Sequence, residues 1–145
     1  MKIYLDNCCL NRPFDDQSNL RIRLESEAVK MILYLCEQKH WKLISSKIIK
    51  FEISNTPDES RRKELEVITG LASRVIEIND AISSRAKEFE ELGLQAFDAL
   101  HLACSENEAD IILTTDDRFL KSSLKIKDLQ IKISNPLKWL EERLI

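Results

Sequence analysis

The sequence places acidic residues where their carboxylates could meet in one site. Asp6 follows a short apolar run, Ile3–Leu5, and Asp116 closely follows a second run, Ile111–Thr114. In a parallel sheet, ligands bind beyond the carboxyl ends of the strands. If both runs are strands of one such sheet, both carboxylates lie at the same edge. Each Asp also has an ordinary alternative, as a turn former or a helix N-cap.

Two further acids lie in segments with helical periodicity. Glu52 follows Ile49 by three residues, on the side of its helix that we expect to face the core. Asp98 lies within Ala96–Ala103, where every neighbour except His101 is apolar. An ionised carboxylate is costly to bury unless it is paired or bound to a metal. A buried Asp98–His101 pair is the simplest structural alternative, and a site shared by the four acids is the hypothesis that we favour.

Four carboxylates predict a site for Mg²⁺ or Mn²⁺, because these ions bind oxygen ligands and leave room for phosphate oxygens. The corresponding chemistry is metal-assisted hydrolysis of a phosphodiester. Other catalytic designs are disfavoured. The only glycines are Gly70 and Gly93, so the chain has no phosphate-binding glycine loop, and it has no G-x-S-x-G motif. An aspartyl-phosphate enzyme would need an acid two residues after Asp6, where this chain has Cys8.

Net charge and length limit the class of protein. The 145 residues suit a single domain, predicted to span 1–145. The formal net charge of −3 argues against binding nucleic acid chiefly through a positive surface. The four acids contribute −4 to that total, so the rest of the chain carries +1. A bound divalent ion would reverse the sign where a phosphate approaches, so an RNA substrate is not excluded.

Cysteine usage and hydropathy predict a cytoplasmic protein with no membrane association. No C-x-x-C pair occurs among the four cysteines, which favours reduced thiols acting as small apolar residues. No stretch approaches the roughly 20 apolar residues that span a bilayer. The N-terminus reaches its first acid, Asp6, too early for a secretory signal.

Hydrophobic periodicity predicts alternating strands and helices. The predicted strands are Ile3–Leu5, Leu43–Ser45, Val75–Ile78, Ile111–Thr114 and Ile131–Ile133. The predicted helices are Leu20–Lys39, a short one capped by Ser46 that runs through Ile53, Asp58–Leu71, one from a cap at Asp80 to Leu92 that is closed by Gly93, Ala96–Glu108, and one from Asn135-Pro136 through Leu144. A helix at almost every crossover indicates an α/β fold, a three-layer α/β/α sandwich around a mostly parallel sheet.

Several segments together resemble the PIN-domain nucleases, especially the VapC-type toxin ribonucleases. They are Leu5-Asp6 after the first strand, an acid in Ser46–Ile53, Phe97–Ala103, and Leu113–Phe119. The resemblance implies a five-stranded parallel sheet, Mg²⁺ or Mn²⁺, and endonucleolytic cleavage of single-stranded or structured RNA. It also implies the toxin of a type II toxin–antitoxin pair, a homodimer, and an antitoxin partner that holds the enzyme inactive.

Mapped onto this chain, the resemblance implies a catalytic and metal-binding quartet of Asp6, Glu52, Asp98 and Asp116. It assigns Thr114 as a supporting hydroxyl and Asp117 as a candidate fifth acid, although Asp117 also suits a solvated position. Many family members carry Ser or Asn at the position of Cys8, which is a departure in this chain.

Two hypotheses concern surfaces. The segment 11–16, Asn-Arg-Pro-Phe-Asp-Asp, is predicted to be a loop after the first strand, and Arg12 within it is a candidate contact for an RNA phosphate. Trp139, Leu140, Leu144 and the Leu20–Lys39 helix offer apolar surface that predicts a protein partner. Two other functions stay open on the sequence: a non-catalytic RNA-binding or scaffold module, and a metal-dependent phosphatase acting on small molecules.

Overall fold

The computed structural model of the protein describes residues 1–144, and its centre is a five-stranded parallel sheet. The strands are β1 (Lys2–Leu5), β2 (Lys42–Ser46), β3 (Arg74–Ile76), β4 (Ile111–Leu113) and β5 (Lys132–Ser134), in the order β3-β2-β1-β4-β5. Central β1 pairs with both neighbours, so Ile3 is opposite Leu43 on one side and Ile111 on the other. The five predicted strands and their parallel arrangement are confirmed, with ends that differ by one or two residues.

Eight α-helices surround the sheet in the described part of the chain. They are α1 (Asn7–Asn11), α2 (Leu20–Glu37), α3 (Lys47–Ser54), α4 (Glu59–Thr69), α5 (Asp80–Glu91), α6 (Ala96–Glu106), α7 (Asp117–Leu124) and α8 (Pro136–Arg143). Helix α2 packs against α8, and α5 packs against α6. The connection from β1 to β2 and that from β3 to β4 cross the sheet in opposite directions, so right-handed crossovers place α2 and α6 on opposite faces. The predicted α/β/α sandwich is confirmed.

Local capping chemistry explains where the helices begin. The Ser46 hydroxyl accepts a hydrogen bond from the Ile49 N–H at 3.3 Å, as its predicted role as N-cap of α3 requires. The prediction that Asp80 caps α5 is wrong. Asn79 is the cap, because its side-chain oxygen accepts from the Ile82 N–H at 2.9 Å. Gly93 follows α5 with a φ of +107°, which confirms its predicted role in ending that helix.

The segment after β1 is helical, which corrects the predicted loop at 11–16. Asp6 caps the five-residue helix α1, and a 3₁₀ helix at Arg12–Phe14 follows directly. These helices are too short to show a hydrophobic period, so the sequence pattern missed them. Pro13 suits the first turn of the 3₁₀ helix because it has no N–H to leave unpaired.

The C-terminal helix belongs largely to the core, which corrects the predicted partner surface. Trp139 is 3% exposed and Leu140 is 7% exposed. The Trp139 ring packs against Trp41, with ring centroids 5.0 Å apart. Of the three apolar residues singled out near the C-terminus, only Leu144 is exposed. Helix α2 does expose apolar side chains, among them Leu20.

Among residues 1–144, no helix combines the length and the apolar character that crossing a bilayer requires.

Candidate active site

Asp6 occupies the carboxyl end of the central strand. Its N–H donates to the Leu113 carbonyl at 3.2 Å, which ties it to the end of β4. Its carboxylate caps α1 by accepting from the Cys9 N–H at 2.9 Å. The residue is 2% exposed, and this burial raises its pKa, while the neighbouring Thr114 hydroxyl and His101 lower it. Asp6 is thus a buried carboxylate fixed in position by the turn from β1 into α1.

Asp116 lies just beyond the carboxyl end of β4, the strand that pairs with β1. One carboxylate oxygen caps α7 by accepting from the N–H groups of Arg118 at 2.9 Å and Phe119 at 3.2 Å. Its own N–H donates to the buried Thr114 hydroxyl at 3.0 Å. The capping alternative for Asp116 is therefore real. It does not exclude a site role, because the caps use the same oxygen, Oδ1, and Oδ2 accepts no hydrogen bond from residues 1–144.

Glu52 lies in the second turn of α3 and contacts the Nε2 atom of His101 on α6. Behind the imidazole, Nδ1 of His101 lies 2.7 Å from the Tyr4 hydroxyl. That hydroxyl is in turn 2.7 Å from the Ser46 Oγ. This buried chain of hydrogen bonds holds Glu52 in place. It also corrects the alternative of an Asp98–His101 pair, because the partner of His101 is Glu52.

Asp98 lies in the first turn of α6. Within residues 1–144, its carboxylate accepts no hydrogen bond and forms no ion pair. Desolvation, together with the negative charges of Asp116 and Asp6, raises the pKa of Asp98 to about 6. An acid without a cationic partner that is repelled by two other acids is the pattern expected of a site for a cation.

The Cys8 thiol is near the four predicted acids. Its pKa is raised first by desolvation and then by the charges of four carboxylates: Asp6, Asp116, Asp98 and Glu52. Electrostatic effects of this kind fall with distance, so all four acids lie within electrostatic range of Cys8. That they form one shared site stays a prediction. Cys8 itself is exposed at the entrance.

The donor set fits a hard divalent cation. Carboxylate oxygens predominate, and their mutual repulsion would be relieved by a bound ion. Among the described residues, no three His, Cys, Asp or Glu side chains are already close enough to hold a metal by themselves. Mg²⁺ suits such an arrangement, because it usually keeps several waters and takes only one or two carboxylates. Asp98 is coupled electrostatically to Asp116 and Asp6, which makes these three acids the candidates to hold such an ion.

Asp117, the candidate fifth acid, is turned to a different partner. Its two oxygens accept from the guanidinium of Arg21 at 2.7 and 2.8 Å, and the pair is exposed. Arg21 also contacts Glu25, whose side chain is 1% exposed. Hydrogen bonding to Arg21 lowers the pKa of Asp117. Asp117 therefore anchors the start of α7 to α2.

Two residues near the site were missed by sequence reasoning. Glu25 is buried on α2 and accepts from Arg12 Nη2 at 2.8 Å, from Arg21 and from Asn135. A signal was available, because Glu25 lies three residues before inward-facing Ala28 and seven before Ile32. The other is Arg61, which reaches the same region from α4 and had no local signal.

The fold and the acid cluster together define an α/β/α domain whose carboxylates gather where the strand order reverses. The family model of the PIN domain matches residues 3–123, and the chain belongs to the PIN domain family. PIN domains are generally nucleases that use a divalent metal. No curated protein sequence matches the chain significantly.

Solved structures share the fold at low sequence identity. One is the crystal structure of FitAcB from Neisseria gonorrhoeae, with a TM-score of 0.62, 16% identity and coverage of 92% of this chain and 97% of the other. Another is VapBC2 from Rickettsia felis bound to a DNA fragment from its promoter, with a TM-score of 0.58, 13% identity and coverage of 92% and 98%. FitAB bound to the IR36 DNA fragment gives a TM-score of 0.58 at 15% identity, with coverage of 93% and 95%. These likenesses confirm the predicted PIN fold.

Proposed function

We propose that this chain is a metal-dependent endoribonuclease, with Asp6, Glu52, Asp98 and Asp116 as its catalytic acids. The observation that carries the proposal is that Asp6 and Asp116 cap helices at the carboxyl ends of the adjacent strands β1 and β4, where the Asp6 N–H also bonds to the end of β4. The site lies at the switch point between β1 and β4, where parallel sheets bind their ligands. Membership of a nuclease family supports the same reaction class.

The surroundings of each acid indicate its role in the proposed reaction. Asp6 and Asp116 are fixed by backbone hydrogen bonds at two helix starts, so their carboxylates are preorganised. Asp98 has no hydrogen-bonded partner in the described chain and completes the set. A bound Mg²⁺ or Mn²⁺ would supply the positive charge that phosphodiester hydrolysis requires. Asp6, Asp98 and Asp116 would hold the ion, and Thr114 supports Asp116 through its hydroxyl.

Glu52 has a distinct role in this proposal. Unlike Asp6, which is 2% exposed, Glu52 has a side chain that is 17% exposed, and it is held by His101. It can therefore orient water or a phosphate group through a carboxylate oxygen, while its position is fixed from behind. We also include Glu52 in the proposed metal set, beside the three Asp residues.

The biological setting that we propose is the toxin of a type II toxin–antitoxin pair, with an antitoxin partner, a homodimeric state and a cytoplasmic location. The support is the likeness in fold to the structures of FitAB and VapBC2. The exposed apolar face of α2 offers surface for a protein partner. We also propose that residues 1–145 act as one PIN-like nuclease domain.

The test is cleavage of RNA oligomers by the purified chain in MgCl₂ or MnCl₂, with EDTA and Asp98→Asn as controls. Metal-dependent internal cleavage that the variant lacks is the expected result. A generic phosphomonoester assayed in parallel separates this function from that of a small-molecule phosphatase. RNA binding without cleavage in either metal would instead indicate a non-catalytic module.

A further inference from the structure

A groove of about 510 Å³ leads away from the acid cluster. Its lining includes Glu52 and Asp116 of the acid cluster, residues of α1 and the 3₁₀ segment, which we call one wall, and residues of the connection from α3 to α4, which we call the other. Arg12, the sequence candidate for a phosphate contact, does line this groove. Its guanidinium is already bonded to buried Glu25 at 2.8 and 3.0 Å, so much of its hydrogen-bonding capacity is used inside the protein.

A second guanidinium in the groove makes fewer hydrogen bonds to protein acceptors than that of Arg12. Arg61 comes from α4 and reaches across to the opposite wall, where Nη2 donates to the Phe14 carbonyl at 2.6 Å. The guanidinium lies 5.6 Å from the Phe14 ring centroid, and Nη1 is 4.0 Å from Asp15. The side chain is 34% exposed. Within residues 1–144, the only hydrogen bond that it makes is the one to Phe14, so most of its five N–H donors face no protein acceptor.

We propose that Arg61 is a positioning residue that binds a phosphate flanking the scissile one, in a single RNA strand lying along this groove. The inference rests on the proposed function and adds the path that the RNA strand takes across the protein. A planar guanidinium with free N–H groups matches phosphate oxygens in a two-pronged geometry. Contacts with Phe14 and Asp15 hold the guanidinium in place before the substrate arrives, which reduces the entropy lost on binding.

The groove also explains how an acidic chain can bind RNA. The protein carries a formal net charge of −3 and needs a local cation near the acids. Arg61 supplies one in the groove that Glu52 and Asp116 also line. Among the single-stranded and structured RNAs that the family implies, we take the single strand as the substrate form, because protein side chains reach the groups of unpaired RNA more readily.

The experiment measures binding separately from cleavage. All variants are made in an Asp98→Asn background, and the probe is a fluorescein-labelled, randomised single-stranded RNA of roughly 20 nucleotides. Fluorescence anisotropy in MgCl₂ is recorded over a range of about 50 to 200 mM KCl. Arg61→Gln is expected to weaken binding about fivefold and to reduce the slope of log K against log salt by about 0.7. Lys63→Gln removes one charge from the exposed face of the same helix and is the matched control, with no expected change.

A conservative variant guards against an effect on folding. Arg61→Lys keeps the charge but loses the planar fork, so it should retain the salt slope and bind about threefold more weakly. If Arg61→Gln has a lower melting temperature than the wild type, the RNA binding of Arg61→Lys tests the inference in its place. An affinity and slope equal to those of Lys63→Gln in both Arg61 variants would overturn the inference. Wild-type cleavage, measured with Asp98 intact, reports on the proposed function independently of this result.

Discussion

The Tyr4 hydroxyl lies 2.7 Å from Nδ1 of His101, and the opposite nitrogen of that ring contacts Glu52. Tyr4 comes from the central strand, His101 from α6 and Glu52 from α3, so one imidazole joins three elements at the site. Burial raises the pKa of Tyr4 well above its usual value, which keeps the hydroxyl protonated and able to donate. The position of Glu52 thus depends on Tyr4, a residue of the central strand.

Replacing Tyr4 with Phe should destabilise the protein and disturb Glu52. The substitution leaves the buried Ser46 hydroxyl and His101 Nδ1 without a shared partner, at an expected loss of about 1–3 kcal/mol in the free energy of unfolding. Urea denaturation measures the loss. Tyr34→Phe removes the same group from an exposed tyrosine on α2 and should be nearly neutral. Equal unfolding free energies for the two variants would contradict this network.

Asp98→Asn should lower the rate of metal-dependent RNA cleavage by about a hundredfold or more, while the fold is kept. Asn has a similar shape but no charge, so it cannot hold a cation beside Asp6 and Asp116. Cleavage rates at saturating MgCl₂ test this directly. Asp80→Asn, at an exposed acid on α5, is the control for loss of one negative charge. Wild-type cleavage by Asp98→Asn would rule out the proposed mechanism.

The same variant should change how stability depends on pH when metal is removed with EDTA. Desolvation and the acids around it raise the folded-state pKa of Asp98 to about 6, above its ordinary 3.8. The folded state therefore binds more protons between these values, and the free energy of unfolding falls as pH rises through this window. Asp98→Asn should match wild type near pH 4. It should melt roughly 3 °C higher at pH 8, since solvent screening limits the gain to about 1 kcal/mol. Parallel curves would contradict the repulsion.

The fold could be predicted from the sequence because its signals are local. Short β-branched runs such as Ile111–Leu113 mark buried parallel strands, and caps such as Ser46 mark where helices begin. The hydrophobic pattern could not predict an element that is shorter than about two helical turns. Helix α1 has five residues, and what makes it helical is the Asp6 cap and its contact with β4.

The candidate site could be predicted only in part. Asp6 and Asp116 were predicted from their positions after apolar runs, and Asp98 from its apolar neighbours, among which a carboxylate is costly unless something compensates for it. Their partners could not be predicted, because they come from distant parts of the chain. His101 pairs with Glu52 across 49 residues, and Arg61 meets the Phe14 carbonyl across 47. Trp139 shows the converse, since an apolar face next to the chain end is covered by tertiary packing against Trp41.

Metal binding should stabilise the protein measurably. If the acids share one ion, the melting temperature should rise as MnCl₂ is added. The corresponding gain in the free energy of unfolding is about 2.7 kcal/mol at a hundredfold excess over Kd. Ca²⁺ should also stabilise the protein but support little cleavage, because its looser geometry positions the reacting groups poorly. Glu52→Gln should keep part of the response, and Asp98→Asn should lose most of it. A wild-type melt that does not shift in millimolar metal would leave these residues as caps and turn formers.

Glu25 should be important for stability although it lies outside the acid cluster. Its buried carboxylate accepts from Arg12, Arg21 and Asn135, which fixes the wall of the groove to α2. Glu25→Gln weakens these charge-assisted bonds, and we expect a loss of about 2 kcal/mol or more in the free energy of unfolding. Glu27→Gln changes an exposed residue of the same helix, 3.6 Å from Lys30, and should cost less than about 0.5 kcal/mol. Similar losses in both would show that the burial of Glu25 does not matter.

Asp117→Asn should leave cleavage within about threefold of wild type, because its exposed pair with Arg21 is worth at most about 1 kcal/mol. Both oxygens of Asp117 are bonded to Arg21, which directs the carboxylate toward α2 and away from Asp98. Asp116→Asn is the matched comparison one residue earlier. Asn caps helices as well as Asp does, so α7 should still form while the charge at the site is lost. Single-turnover cleavage in MnCl₂ compares the two variants, and melting temperatures verify that both are folded. A loss in Asp117→Asn as large as that in Asp116→Asn would make Asp117 a fifth acid of the site, released from Arg21 when metal and RNA bind.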